Sequence, residues 1–422
     1  MPEAPTLQNT GMFRSLRQFN YRVWAVGAFV SNIGTWVQRT AQDWLVLTEL
    51  TDHDAQAVGL VMALQYGPQF LLLPWTGIAA DRLNQRRLLM LTQGVMGLLA
   101  LALGCLTLLG VARLWHVCVF AFLFGCAAAF DAPVRQTFVS ELVGNDHLAN
   151  AVALNSTSFN AARMIGPAAA GLAIAAIGTG WAFLFNGLSF FAVLASLFFL
   201  RRDELRPNPR ALRGRGGFME GLRYVGGRPD LKAILLILFL IGTFGLNFPI
   251  FISTMAVGAF HLDAKGYGFL SAAMAVGTIS GALLNARRAW PKFTSLLTGT
   301  ILFGVGCSLA AMAPSPLTFA AALVLTGVAA LTVTNSSNSL IQISTDPVLR
   351  GRMMSLRVGV ALGGTPIGAP IVGWIANHYG PRAALCIGVS AGFAAAVVAA
   401  IALYRRVHEP TIQGAGSADA GG

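Results

Sequence analysis

The chain has 422 residues, of which 55% are hydrophobic and 11% charged, with a mean hydropathy of +0.65. A soluble globule of this length carries charge on about a quarter of its residues, so water is not the main solvent of this one. The net charge of +12 is spread over short turns between apolar runs, which speaks against a nucleic-acid surface.

Apolar runs long enough to cross a bilayer recur along the chain at about residues 23–48, 57–80, 88–110, 114–134, 149–177 and 180–200. They resume at 231–258, 266–286, 293–313, 316–343, 353–378 and 382–404. Runs this long and non-alternating read as helices, since in lipid only helices and closed barrels satisfy their own backbone groups. The expected fold is an all-α integral membrane protein with twelve transmembrane helices in two six-helix lobes. Residues 1–22 form a polar N-terminal segment, 23–200 the first lobe, 201–230 a basic linker, 231–404 the second lobe and 405–422 a flexible tail. Ahead of the first span, Arg14 and Arg17 precede an apolar run too long for a signal-peptide core, so that run is expected to stay as a helix.

Alternating the spans from a cytoplasmic start leaves only Arg113, Lys265 and Arg382 of the 29 Lys and Arg on the far side, with Arg39 and Arg163 inside spans. Both termini are then cytoplasmic. The five cysteines fall within spans without paired spacing, and the six histidines are scattered near span ends, so neither a disulfide framework nor a metal site is indicated. Between the lobes, residues 201–232 hold nine Lys or Arg and three prolines, as expected of a cytoplasmic linker beside anionic lipid. The fifth and eleventh spans align at a constant offset: Leu154 with Leu356, Gly166 with Gly368, Gly171 with Gly373 and Gly178 with Gly380. Such parallel repeats belong to two-lobed carriers with a site between the lobes near mid-membrane.

Polar residues inside a span are costly and mark a pathway or a pair. The first span carries Asn32, Thr35, Arg39, Gln42 and Asp43. Arg39 and Asp43 are four residues apart on one face, which favours an ion pair; counted from Val23 they lie ~24 Å and ~30 Å along the helix, toward its outer end. Either they form an outer-leaflet pair or Asp43 is the carboxylate that cycles a proton, with Asp131 the second candidate. Arg163, in the fifth span, is open to three readings: an anionic substrate, a pair with Asp43, or satisfaction by carbonyls and Asn160. Asn155, Asn186, Asn247, Asn335, Asn338 and Gln342 are further cavity candidates, each equally suited to a helix–helix hydrogen bond. The stretch Asn160 to Gly171, with Gly166, Pro167 and Gly171, presents a small-residue packing face bent at the proline.

Between the second and third spans, Gly77-Ile78-Ala79-Ala80-Asp81-Arg82-Leu83-Asn84-Gln85-Arg86-Arg87 is a charged membrane-surface turn. It resembles the loop-2/3 signature of the major facilitator superfamily, Gly-x-x-x-Asp-Arg-x-Gly-x-Arg-Arg, with Asn84 in place of Gly, a residue that tolerates a left-handed turn. With Asn32-Ile33-Gly34-Thr35-Trp36, Asp131-Ala132-Pro133-Val134-Arg135-Gln136, Asn150 to Ser156 and Ile165 to Gly171, residues 13–405 look like the drug:proton antiporter group of that superfamily. Ala162 and Ala170 stand where the group's fifth-helix element has Gly.

The resemblance implies a multi-pass protein of the bacterial inner membrane that exports a siderophore-like or amphipathic small molecule by alternating access in exchange for protons. It implies no enzymatic activity and no cofactor. Its partners are the substrate, the proton and membrane lipid, with no nucleic acid, and one chain suffices as a monomer. The loop, through Gly77, Asp81, Arg82, Arg86 and Arg87, is expected to latch against Asp131, Arg135, Arg352 and the start of the eleventh helix. Import or symport, and a sensor or lipid-modifying enzyme, are the alternatives. No Walker phosphate loop occurs in the chain, so the driving force is an ion gradient or the substrate's own.

Overall fold

The computed structural model describes residues 13–72, 75–76, 79, 82–206, 223–286, 292–346 and 349–408. Among them there is no strand. Nine segments are long and apolar enough to cross a membrane. One of these, Asp146–Phe198, reverses at Gly178 and supplies two spans; the first span (Phe19–Leu45) and the second (Ala55–Leu71) complete the twelve. The third and fourth spans are Gln85–Leu108 and Leu114–Leu142, and the seventh is Pro229–Ala259. Ala264–Ala286, Phe293–Met312 and Pro316–Ser344 are the eighth to tenth. The eleventh is split into Arg350–Gly363 and Thr365–Tyr379, and Pro381–His408 is the twelfth.

The interruptions have local causes. Proline lacks an N–H and cannot continue the ladder of the preceding turn, so the seventh span breaks at Leu246-Asn247 and the eleventh at Gly364, with Pro249 and Pro366 in the first turn of the helix that follows. Asn84 does not take the left-handed conformation the sequence suggested. Its backbone is extended (φ −67°, ψ 113°) and its side chain accepts the Arg87 N–H at 2.9 Å, so it caps the third helix.

The repeat between the fifth and eleventh spans is structural. Gly178 (φ 82°, ψ 169°) and Gly380 (φ 87°, ψ 167°) share one left-handed conformation that only glycine adopts without strain, and each turns its span directly into the next. A Cβ at Gly166 would overlap Trp36 of the first span, and one at Gly368 would overlap Thr243 of the seventh. At Gly171 it would overlap Gly268 of the eighth span, and at Gly373 Ala55 of the second. In each lobe, then, one glycine seats the helix on its own lobe and the next seats it against the other.

Two ends of the bundle are distinguished by charge: the basic end, with Arg82, Arg86, Arg87, Arg201 and Arg350, and the opposite end, with Asp54, Gly178 and Gly380. Toward the opposite end one apolar core is common to both lobes, combining Ala41, Val58 and Val61 with Phe251, Leu270 and Val372. Toward the basic end the cores are separate, one around Trp24 and Phe138 and another around Leu231 and Met353. The lobes are therefore joined over one half of their length and parted over the other.

Candidate functional site

A polar network ties together the first, third and fourth spans. The fourth helix runs beyond the expected 134 to Leu142, which brings Asp131 and Arg135 onto one face as an i,i+4 pair at 2.9 Å. Asp131 also accepts from Thr92 at 2.9 Å and Gln93 at 2.6 Å, while Arg135 donates to the Asn32 side chain at 3.1 Å. The carboxylate is buried with both oxygens engaged inside one lobe. That is the arrangement of a structural node, because a buried charge is tolerated when paired and hydrogen-bonded.

One to two turns further along the first helix lies a second cluster. Arg39 does not pair with Asp43; its Nη1 donates to the Tyr66 hydroxyl at 3.2 Å, and its guanidinium lies 4.9 Å from the Trp36 ring centre and 5.1 Å from that of Tyr66. Trp36 in turn meets Phe159 of the fifth span edge-on at 6.0 Å. Arg163, one turn beyond Phe159 on the same face, is exposed and within electrostatic range of Tyr66 and Arg39. A guanidinium turned toward lipid would be costly, so this face belongs to the gap between the lobes.

Asp43 lies where the lobes close. It is 5% exposed, its Oδ1 has no hydrogen-bond partner, and both Arg39 and Tyr267 of the eighth span are within electrostatic range. Beside it Trp44 stacks on Tyr267 at 5.1 Å, an aromatic contact that bridges the two lobes. At the opposite end Asp54 caps the second helix, accepting the Gln56 and Ala57 N–H groups at 2.8 and 3.0 Å. It also accepts the side-chain N–H of Asn377, whose oxygen takes the Ala55 N–H at 2.7 Å. Two residues from different lobes thus share one helix cap.

The other anticipated residues are dispersed. Gly77 and Asp81 lie outside the described residues. Arg82 and Arg87 are exposed, whereas Arg86 donates to the Leu197 carbonyl at 2.8 Å and so binds the loop to the end of the sixth span. Arg352 is half-buried and has interaction partners. Asn160 returns its amide to Ser156 at 2.8 Å, and Asn247, fully buried, donates to Thr243 at 2.7 Å across the break in the seventh helix. Asn186 donates to Gln38 inside the first lobe, and Gln42 is buried with its amide nitrogen unpartnered. Asn155, Asn335 and Asn338 are half-buried. Sequence reasoning missed Tyr66, Tyr267, Asp54 and Asn377, each of which is ordinary until its partner on a distant helix is known. It also assigned Arg357 to the loop charges although it lies inside the predicted eleventh span; Arg357 is half-buried with an unpartnered Nε.

Residues 10–416 match the family model described as transmembrane secretion effector. The chain belongs to this family of major facilitator transporters. It is 26% identical over 377 residues to the multidrug efflux pump Tap of Mycolicibacterium fortuitum, covering 84% of this chain and 89% of that protein. With the enterobactin exporter EntS of Salmonella paratyphi A it shares 23% identity over 85% of this chain and 86% of that one. The staphyloferrin A transporter of Staphylococcus aureus is 32% identical over 172 residues, so the chain spans under half (43%) of that relative's length. Among solved structures, the nucleoside transporter NupG superposes with a TM-score of 0.70 at 12% identity, covering 91% of this chain and 99% of that one. A bacterial homologue of the lysosomal transporter Spinster, inward-facing and unoccupied, gives 0.63 at 18%, covering 92% and 95%. These two likenesses establish the fold; the secretion-effector match establishes a multi-pass membrane transporter.

Proposed function

We propose that this transporter moves a siderophore-like or amphipathic small molecule out of the cytoplasm by alternating access, in exchange for protons, with its basic end on the cytoplasmic side. The observation that carries the reading is the division of the core, shared between lobes at the opposite end and separate at the basic end. A single chain with two such lobes has the means to open first to one side and then to the other, and the exporters among its relatives favour the outward direction. In this reading residues 23–200 and 231–404 rock as two bodies about the basic segment 201–230. The loop carrying Gly77, Asp81, Arg82, Arg86 and Arg87 meets Arg352 and the start of the eleventh helix when the basic end closes.

Asp43 is the carboxylate best suited to coupling. Asp131 is fully engaged within its own lobe, whereas Asp43 has an unpartnered oxygen at the contact between lobes, where their separation would hydrate it. The test compares dye and siderophore movement in inverted and right-side-out vesicles under an imposed pH gradient, for the wild type and Asp43→Asn. Gradient-driven accumulation in inverted vesicles, reduced at least about tenfold in the variant, is the expected result. Movement that ignores the gradient in the wild type would replace exchange with facilitated diffusion or another ion.

A further inference from the structure

The charged groups of the first lobe fall into two sets. Asp131 and Arg135 neutralise one another. Arg39 and Arg163 do not have that compensation: among the described residues neither forms an ion pair, and Arg39 Nε is buried with no hydrogen-bond partner at all. Two guanidiniums lie in mutual electrostatic range, and Asp43, the carboxylate in range of Arg39, lies outside ion-pairing distance of it. The surroundings are therefore net positive within a membrane-spanning segment, and such an arrangement is unfavourable until an anion enters it.

The same wall is aromatic. Trp36 and Tyr66 flank the Arg39 guanidinium, and Phe159 meets Trp36 edge-on one turn from Arg163. Arginine presents a planar fork of N–H donors that matches the two oxygens of a carboxylate, and aromatic faces accept flat apolar bodies. Arg163 lies eight residues, ~12 Å of helix, from Gly171, where the fifth span is closed against the eighth. The cluster thus sits at the inner limit of the parted half, where a substrate entering from the basic end would come to rest.

We propose that Arg39 and Arg163, with Trp36, Tyr66 and Phe159, form a subsite for an organic carboxylate carried on an aromatic or similarly flat apolar body. The inference rests on the transport reading above but is tested by binding alone, without gradient, direction or turnover.

Full-length protein in lipid nanodiscs is titrated calorimetrically with 2-naphthoate, 2-naphthamide and 2-naphthylmethylamine, three probes with one ring system and three charges, using empty nanodiscs as the blank. The expected result is that the acid binds about tenfold or more tightly than the amide, and the amine most weakly. Arg39→Gln and Arg163→Gln should each bring the ratio of acid to amide affinity close to one, with an unfolding temperature in the nanodisc near that of the wild type reporting an intact fold. Arg163→Lys should keep part of it, because lysine supplies the charge without the fork. Acid binding no tighter than amide binding, including no binding of any probe, overturns the proposal, as does a preference that survives both glutamine variants. Charge-selective binding together with gradient-independent movement in vesicles would instead overturn proton exchange and leave the subsite standing.

Discussion

Asp131 and Asp43 are the two acids that the sequence singled out inside spans, and their surroundings divide their roles. Asp131 has three side-chain donors from two helices, so Asp131→Ala should leave Arg135 uncompensated and cost about 3 kcal/mol of stability, seen as a lower unfolding temperature in detergent. Asp131→Asn, which can still accept from Thr92 and Gln93, should lose less. Equal losses in the two variants would mean that the Thr92 and Gln93 hydrogen bonds contribute little beyond the ion pair. The sequence made Asp131, Arg135, Asn32, Arg39 and Asp43 visible because polar groups are rare in such helices. Their pairing was not visible: the i,i+4 rule fits both Asp131–Arg135 and Arg39–Asp43, yet only the first pair forms. Arg39 finds Tyr66 instead, and nothing in the spacing of two separate helices announces that contact.

At the scale of the helix, the fifth and eleventh spans each carry two glycines with different duties, and substitution should separate them. Gly171→Leu and Gly373→Leu insert bulk into contacts between lobes, Gly166→Leu and Gly368→Leu into contacts within one. Overpacking costs about 1–3 kcal/mol, so the first two should shift the population about 5- to 150-fold away from closure at the opposite end. Spin labels at Leu83 and Arg350, on the basic ends of the two lobes, should report a shorter distance. Gly166→Leu and Gly368→Leu should lower the unfolding temperature without redistributing that distance; a shift from these instead would reverse the assignment. The repeat that led to these glycines was legible from residue identity at a fixed offset, as were all twelve spans, because hydrophobic length is read directly from composition. The break in the seventh helix was not anticipated, since an apolar run hides a proline-induced interruption whose cost is met by Asn247 and the π-turn beside it.

For the whole molecule, the shared cap formed by Asp54 and Asn377 is a clasp between lobes at the end remote from the basic loops. Asp54→Ala removes the cap and the bond it accepts from Asn377 across the lobes, leaving in place the bond from the Ala55 N–H to Asn377. The cap bonds persist in either state, whereas a hydrogen bond across the lobes is worth about 1 kcal/mol, so opening at that end should become about fivefold more frequent. In a background lacking the five native cysteines, a cysteine replacing the fully buried Ala41 should then react about fivefold faster with a membrane-impermeant maleimide; an unchanged rate would remove the clasp from the opening equilibrium. The direct reversals at Gly178 and Gly380 bear on how such an opening spreads. With a single residue between consecutive spans there is no slack to absorb displacement, so a tilt imposed on the fifth helix at its seam is handed at once to the sixth. The sixth ends at the Leu197 carbonyl that holds Arg86. Each lobe therefore behaves as a lever with its load arm and its effort arm made of one piece.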